Sequence, residues 1–154
     1  MMDLFGNETL RMLGWKQPFA SLMLHGKIET RTWDTAYRGK VLMYSTKEGF
    51  EHSDLFGFCS DEILDRIFRT LEEEPTAELF GMAFAVGYLV HVRPMQPQDE
   101  ERCFVNYDPA RYCHIYKDVQ RIDPFPIQGS QGFVNLHPTR PEHQFIIQQI
   151  NQIA

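Results

Sequence analysis

The hydrophobic positions of this chain change period several times, and each change marks an element. Pro18 suits the first position of a helix, where its missing N–H would be unpaired anyway. Phe19, Leu22 and Met23 then fall at i, i+3 and i+4 as one apolar stripe, and Gly26 supplies a left-handed stop. This predicts a short helix over 18–25 that depends on packing, because isolated short helices are marginal. After Gly26 the period becomes two. Lys27, Glu29, Arg31 and Trp33 share one face of a strand predicted over 28–33, and Ile28, Thr30 and Thr32 share the other. Tyr37-Arg38-Gly39-Lys40 reads as a turn. Val41-Leu42-Met43-Tyr44 is a continuous apolar run, which predicts a strand over 41–46 covered on both faces.

Further along, Ile63, Leu64, Ile67, Phe68 and Leu71 stand at helical spacing, predicting a helix over 61–73. Ser60 is its N-cap, and Asp61 and Glu62 favour its positive start. Residues 82–92 form a long apolar run broken by Gly87, a central strand with a bulge or bend at the glycine. Pro94, Pro97 and Pro109 with Asp99-Glu100-Glu101 predict a loop and one helical turn. Tyr112, His114 and Tyr116 alternate with Cys113, Ile115 and Lys117 in a strand pattern. Pro141 opens a final helix over 141–153. Strands outnumber helices and few crossovers link them. That fits a small mixed α+β barrel with flanking helices better than a doubly wound sheet.

Composition narrows the class. A chain of 154 residues, 43% hydrophobic, buries about 70% of its unfolded surface, enough for one core. The expected organisation is a single domain over 1–154, with core segments at 11–47 and 82–136 and an acidic middle at 48–81. No run of eighteen apolar residues occurs, which argues against a membrane partner. MMDLFGNETL, carrying Asp3 and Glu8, lacks the basic-then-apolar order of a signal peptide. Three cysteines with no C-x-x-C do not make a disulfide framework and point to a cytoplasmic setting.

Charge changes the picture more. The net charge is −6. Yet seven of the fifteen Lys and Arg (Arg11, Lys16, Lys27, Arg31, Arg38, Lys40 and Lys47) lie in 11–47 against only Glu29 and Asp34, a local +5. Residues 48–108 hold fourteen acidic and four basic side chains, a net of −10. Such segregation is the footprint of a site for an anion. It also leaves an acidic face that a protein partner could cover. With a screening length of about 8 Å at physiological salt, that face hardly weakens a basic cleft opposite.

The residues QPFASL, then G-K-x-E-x-R-x-W, then Y-R-G-K-V-L, then S-T-K resemble the ASCH domains (activating signal cointegrator homology), relatives of the PUA domains of RNA-modifying proteins. Downstream, Pro124-Phe-Pro-Ile-Gln-Gly129-Ser-Gln-Gly132-Phe133 is similar to the closing segment of such domains, where a Pro-rich strand runs into a glycine turn. The resemblance spans essentially the whole chain in order. It implies a PUA-like barrel and a ligand that is RNA, a nucleotide or a modified nucleoside. It also implies a second option, hydrolysis of an acetylated nucleoside or of RNA. The family's G-x-K-x-x-E-x-R spacing is two residues shorter here between Gly26 and Glu29. This displaces the signature lysine and favours the binding reading.

On that reading the ligand-contacting candidates are Lys16, Gln17, Lys27, Glu29, Arg31, Trp33, Tyr37, Arg38, Lys47, Gly129 and Phe133. Arg31, Arg38 and Lys47 would contact phosphates, and Trp33, Tyr37 and Phe133 would offer planar faces to a base. For the hydrolase the candidates are Lys27 or Lys47, Glu29, and Ser45 or Thr46: a lysine beside a carboxylate with a hydroxyl nearby. Three structural alternatives stay open. Glu29 and Arg31 could be an ion pair at the barrel mouth, and Trp33 could be rim packing. Gly129 and Gly132 could serve backbone geometry. No metal or cofactor is expected. Cys113-His114 is adjacent rather than spaced for zinc, and no phosphate-loop, dinucleotide or H-E-x-x-H motif occurs.

Overall fold

A computed structural model describes residues 10–129, 133–136 and 140–151. The chain begins with strand β1, Arg11–Trp15. Helix α1, Phe19–Leu22, continues into a 3-10 turn, Met23–His25, and Gly26 ends it at φ +82°. Strands β2 (Glu29–Arg31) and β3 (Gly39–Ser45) follow, then helices α2 (His52–Leu55) and α3 (Asp61–Thr70). Ser60 Oγ caps α3 by accepting from the Ile63 N–H. Strand β4 (Met82–Pro94), helix α4 (Glu100–Cys103), the long strand β5 (Tyr112–Pro126), strand β6 (Val134–Asn135) and helix α5 (Pro141–Asn151) complete the order.

The strands form one six-stranded sheet in the order β2-β5-β4-β3-β1-β6. Only β1 and β3 pair in parallel; the other pairs are antiparallel. The sheet therefore is mixed, and it curls into a half-barrel. Two contacts close the curl. Arg31 on edge strand β2 donates from Nη2 to the Gly14 carbonyl of β1 at 2.9 Å. The Trp15 and Tyr116 rings meet edge to face at 5.7 Å although β1 and β5 are not neighbours.

Alternation divides the core. Leu13, Trp15, Val41, Met43 and Phe84 face the concave side with α1 and α3. Met12, Leu42, Tyr44 and Val86 face the other side, where Ile146 and Ile150 of α5 cover them. The apolar run of β3 is thus buried on both faces. Of the described helices, none is long and apolar enough to cross a membrane.

Several local expectations need correction. β1 was not anticipated: Gly14 interrupts its apolar run, so five residues show no clear period. β2 spans three residues rather than 28–33, and Trp33 lies beyond it. Gly39 and Lys40 open β3, so 37–40 is not a turn, and Tyr37 is buried with its hydroxyl donating to the Lys40 carbonyl. Residues 112–126 are one strand, not two pieces. Its register against β4 slips three times, and Asp118 has φ +52°. One slip lies between Val86 and Tyr88, at the bulge expected around Gly87. The expected glycine turn at 130–132 falls outside the described residues.

Candidate functional site

A pocket of about 370 Å³ opens between the start of α1, the open ends of β1 and β2, and the segment that carries α2. Its wall contains four cationic side chains, Lys16, Lys27, Arg31 and Arg111, and one carboxylate, Glu29. Its size falls within the usual range for small-ligand sites.

Glu29 organises one side. It is 6% exposed, and its oxygens are fully engaged. Oε1 accepts from Lys27 Nζ at 2.8 Å and from the Thr30 N–H at 2.9 Å; Oε2 accepts from Arg31 Nε at 3.1 Å. Burial pushes the Glu29 carboxyl up. The Lys27 and Arg31 charges, with the Lys27 and Thr30 hydrogen bonds, outweigh burial and hold it below the usual carboxylate range. Lys27 is held just as firmly. Its Nζ also donates to the Ile28 carbonyl at 3.1 Å and lies 5.1 Å from the Phe19 ring centre. Arg31 bridges Glu29 and the Gly14 carbonyl with its guanidinium over the Trp15 ring. These three charges form a closed ionic clasp.

The other two cations are held more loosely. Lys16 lies over the Phe50 ring at 5.0 Å and makes no ion pair among the described residues. Arg111 reaches Asp108 only at 4.0 Å and Thr30 Oγ1 only at 3.4 Å. Beside them is an aromatic wall. Phe19, Phe50 and Phe58 pack mutually at 5.1 to 5.9 Å between ring centres. Phe50 and Phe58 come from the acidic middle segment and were not anticipated. Gln17 helps to set this wall. It is buried, its carbonyl accepts from the Phe50 N–H at 2.8 Å, and its side-chain amide bonds Ser21 and the Thr76 and Leu79 carbonyls. The amide is thus occupied by protein and not turned to a ligand.

The remaining candidates lie elsewhere. Trp33, Phe133 and Tyr37 form a separate cluster, with Trp33–Phe133 at 5.5 Å and Tyr37–Phe133 at 5.4 Å. Arg11 covers the Tyr37 ring at 4.2 Å. His114 packs on Trp33 with its Nε2 2.9 Å from the Trp33 carbonyl; burial, only partly offset by that bond, pushes its pKa down. Arg38 spends its Nη1 on the Thr35 and Tyr37 carbonyls. Ser45 is fully buried and exchanges hydrogen bonds with the Met82 backbone. Lys47 and Gly129 line a second pocket of about 320 Å³. The hydrolase candidates are thus divided, with Lys27 and Glu29 in the first pocket, Ser45 and Lys47 in the second, and Thr46 in both walls. Among the described residues no cluster of His, Cys, Asp and Glu could hold a metal ion.

No protein-family model and no curated protein matches the chain. Solved structures do. A tyrosine-to-phenylalanine mutant of an ASCH protein from Zymomonas mobilis superposes with a TM-score of 0.54 at 12% identity, covering 94% of this chain and 97% of that one. A serine-to-alanine mutant from the same organism gives 0.54 at 12%, covering 92% and 95%. At such identity the likeness shows the fold alone, the mixed α+β fold of those ASCH proteins.

Proposed function

From an ASCH-type fold with a cation-lined aromatic pocket, we infer that this protein binds a nucleotide or single-stranded RNA in that pocket. The observation that carries this is the division of labour among its charges. Lys27, Glu29 and Arg31 neutralise and fix one another, and that clasp holds the mouth of the half-barrel. Lys16 and Arg111 remain for an anion. The Phe19, Phe50 and Phe58 wall gives an apolar face of the kind on which bases stack. A phosphate on the two cations with a base against the phenylalanines satisfies both halves of the pocket. Single-strand contacts of this kind steepen salt dependence by about 0.7 per phosphate. The test is a titration of uridine 5′-monophosphate into the protein at low and moderate salt. Binding that weakens with salt, and is lost in Lys16→Ala/Arg111→Ala, supports the reading. Binding that ignores both changes sinks it.

A hydrolytic reading has one observation in its favour: a buried lysine–carboxylate pair in a pocket that also holds the Thr30 and Thr46 side chains. It predicts product formation from an acetylated nucleoside or an oligoribonucleotide, abolished in Lys27→Met. Bound ligand recovered intact after prolonged incubation would leave binding as the function.

A further inference from the structure

The first pocket does not end in a wall of its own. Tyr44 and Thr46 belong to its lining and also to that of the second pocket, where Lys47, Gln128 and Ile127 stand. Between the two pockets the Tyr44 ring is buried, at 2% exposure, and half-buried Thr46 is the shared residue that reaches the surface. Two glycines make room for the ring. A Cβ added at Gly14 would lie 2.7 Å from Tyr44 Cε2, and one at Gly129 would lie 2.5 Å from its hydroxyl oxygen. Any other residue at either place would push the ring out of line.

The floor under both pockets is continuous. The Thr46 N–H donates to the Trp15 carbonyl at 3.0 Å, the Gly81 N–H to the Thr46 carbonyl at 3.2 Å, and the Ile127 N–H to the Gly81 carbonyl at 3.0 Å. Four backbone segments are therefore locked edge to edge, and the two pockets hold a fixed spacing. They differ in chemistry. The first has three phenylalanines and two loosely held cations. The second has an exposed lysine, an exposed amide and an apolar side chain.

We propose that the two pockets are adjoining subsites for one linear anionic ligand, a single-stranded dinucleotide step, with Lys47 contacting the part that passes Thr46 into the second pocket. This rests on the nucleotide reading of the first pocket and extends it. A rigid pair of subsites gains from a ligand that fills both, because the second contact becomes intramolecular.

The experiment compares pU and pUpU by calorimetry at one salt concentration, for the unaltered protein, Lys47→Ala, Lys47→Arg and Lys117→Ala. Lys117 is an exposed lysine of β5 outside both pockets. The expected result is pUpU binding at least about tenfold tighter than pU. Lys47→Ala should bring that ratio below threefold, roughly, while leaving pU affinity alone, and Lys47→Arg should keep most of it. Equal affinities for pU and pUpU would overturn the two-subsite proposal and leave the first pocket as the site. So would a loss in Lys117→Ala as large as in Lys47→Ala, since the gain would then be bulk charge. Failure of both ligands to bind would overturn the nucleotide reading, and the proposal with it.

Discussion

The protein carries two aromatic clusters beside basic residues, and the second lines the first pocket. In the first, Trp33, Tyr37 and Phe133 pack on one another, with Arg11 over Tyr37 and His114 against Trp33. In the second, Phe19, Phe50 and Phe58 touch at tilted or edge-on angles and line an open pocket. The cations differ in part. Arg38 spends Nη1 on two backbone carbonyls, whereas Lys16 and Arg111 stand in the pocket wall, Lys16 over the Phe50 ring and Arg111 4.0 Å from Asp108. Burial is alike in the two: each has one buried ring, Tyr37 or Phe19, and two half-buried ones. What sets the second apart is that it lines a pocket together with Lys16 and Arg111.

The largest expected effect comes from the clasp beside the second cluster. Glu29→Gln would leave Lys27 buried without its counter-charge and should cost about 3–5 kcal/mol of unfolding free energy in urea. A loss under 1 kcal/mol, roughly, would mean that water reaches Lys27 and that the clasp is not closed. The same chemistry sets an acid limit. Glu29 is held below its ordinary pKa despite burial, Glu74 by Arg121 above all, and Asp99 by Arg93 above all. An unfolded chain binds more protons at these groups, so their contribution is present above the unfolded carboxylate pKa and lost as pH falls. Urea midpoints should therefore drop steadily below about pH 5. A flat profile down to pH 3 would contradict the arrangement.

Next in size, Trp33→Ala should remove up to about 3 kcal/mol of stability by opening the first cluster, while nucleotide affinity changes little. The converse holds for Phe58→Ala, which should weaken nucleotide binding by about 1–3 kcal/mol through lost stacking. If the two substitutions exchange effects on affinity, the roles of the clusters are reversed. The smallest effect belongs to single cations. Lys16→Ala or Arg111→Ala should each lower the slope of log affinity against log salt by about 0.7, and Arg38→Ala should leave it unchanged.

Much of this architecture was legible in the chain. Period-two alternation puts Lys27, Glu29 and Arg31 on one face; all three line the first pocket, and so does Thr30, which that alternation puts on the other face. The unbroken apolar run of β3, the cap at Ser60 and the irregularity at Gly87 could each be read locally, because each depends on a few neighbouring residues. The aromatic wall could not. Phe50 and Phe58 sit in an acidic, irregular segment with no period, and they reach the pocket through long-range bonds: Phe50 to Gln17, and the Phe58 carbonyl to the Asn106 N–H. β1 escaped for a related reason, since its burial comes from pairing with β3 and β6 rather than from its own pattern. Arg111 gave no signal beyond its charge. Trp33 was open to two readings, a face for a base or rim packing, and only the fold shows the His114 and Phe133 rings packed against it.

The contrast between the clusters is tested most directly by mapping backbone amide shifts in an NMR titration with uridine 5′-monophosphate. The expected result is a set of changes centred on Lys16, Phe50, Phe58 and Arg111, with Trp33 and Phe133 unmoved. Changes centred on Trp33, Tyr37 and Phe133 would place the ligand on that cluster and contradict the assignment.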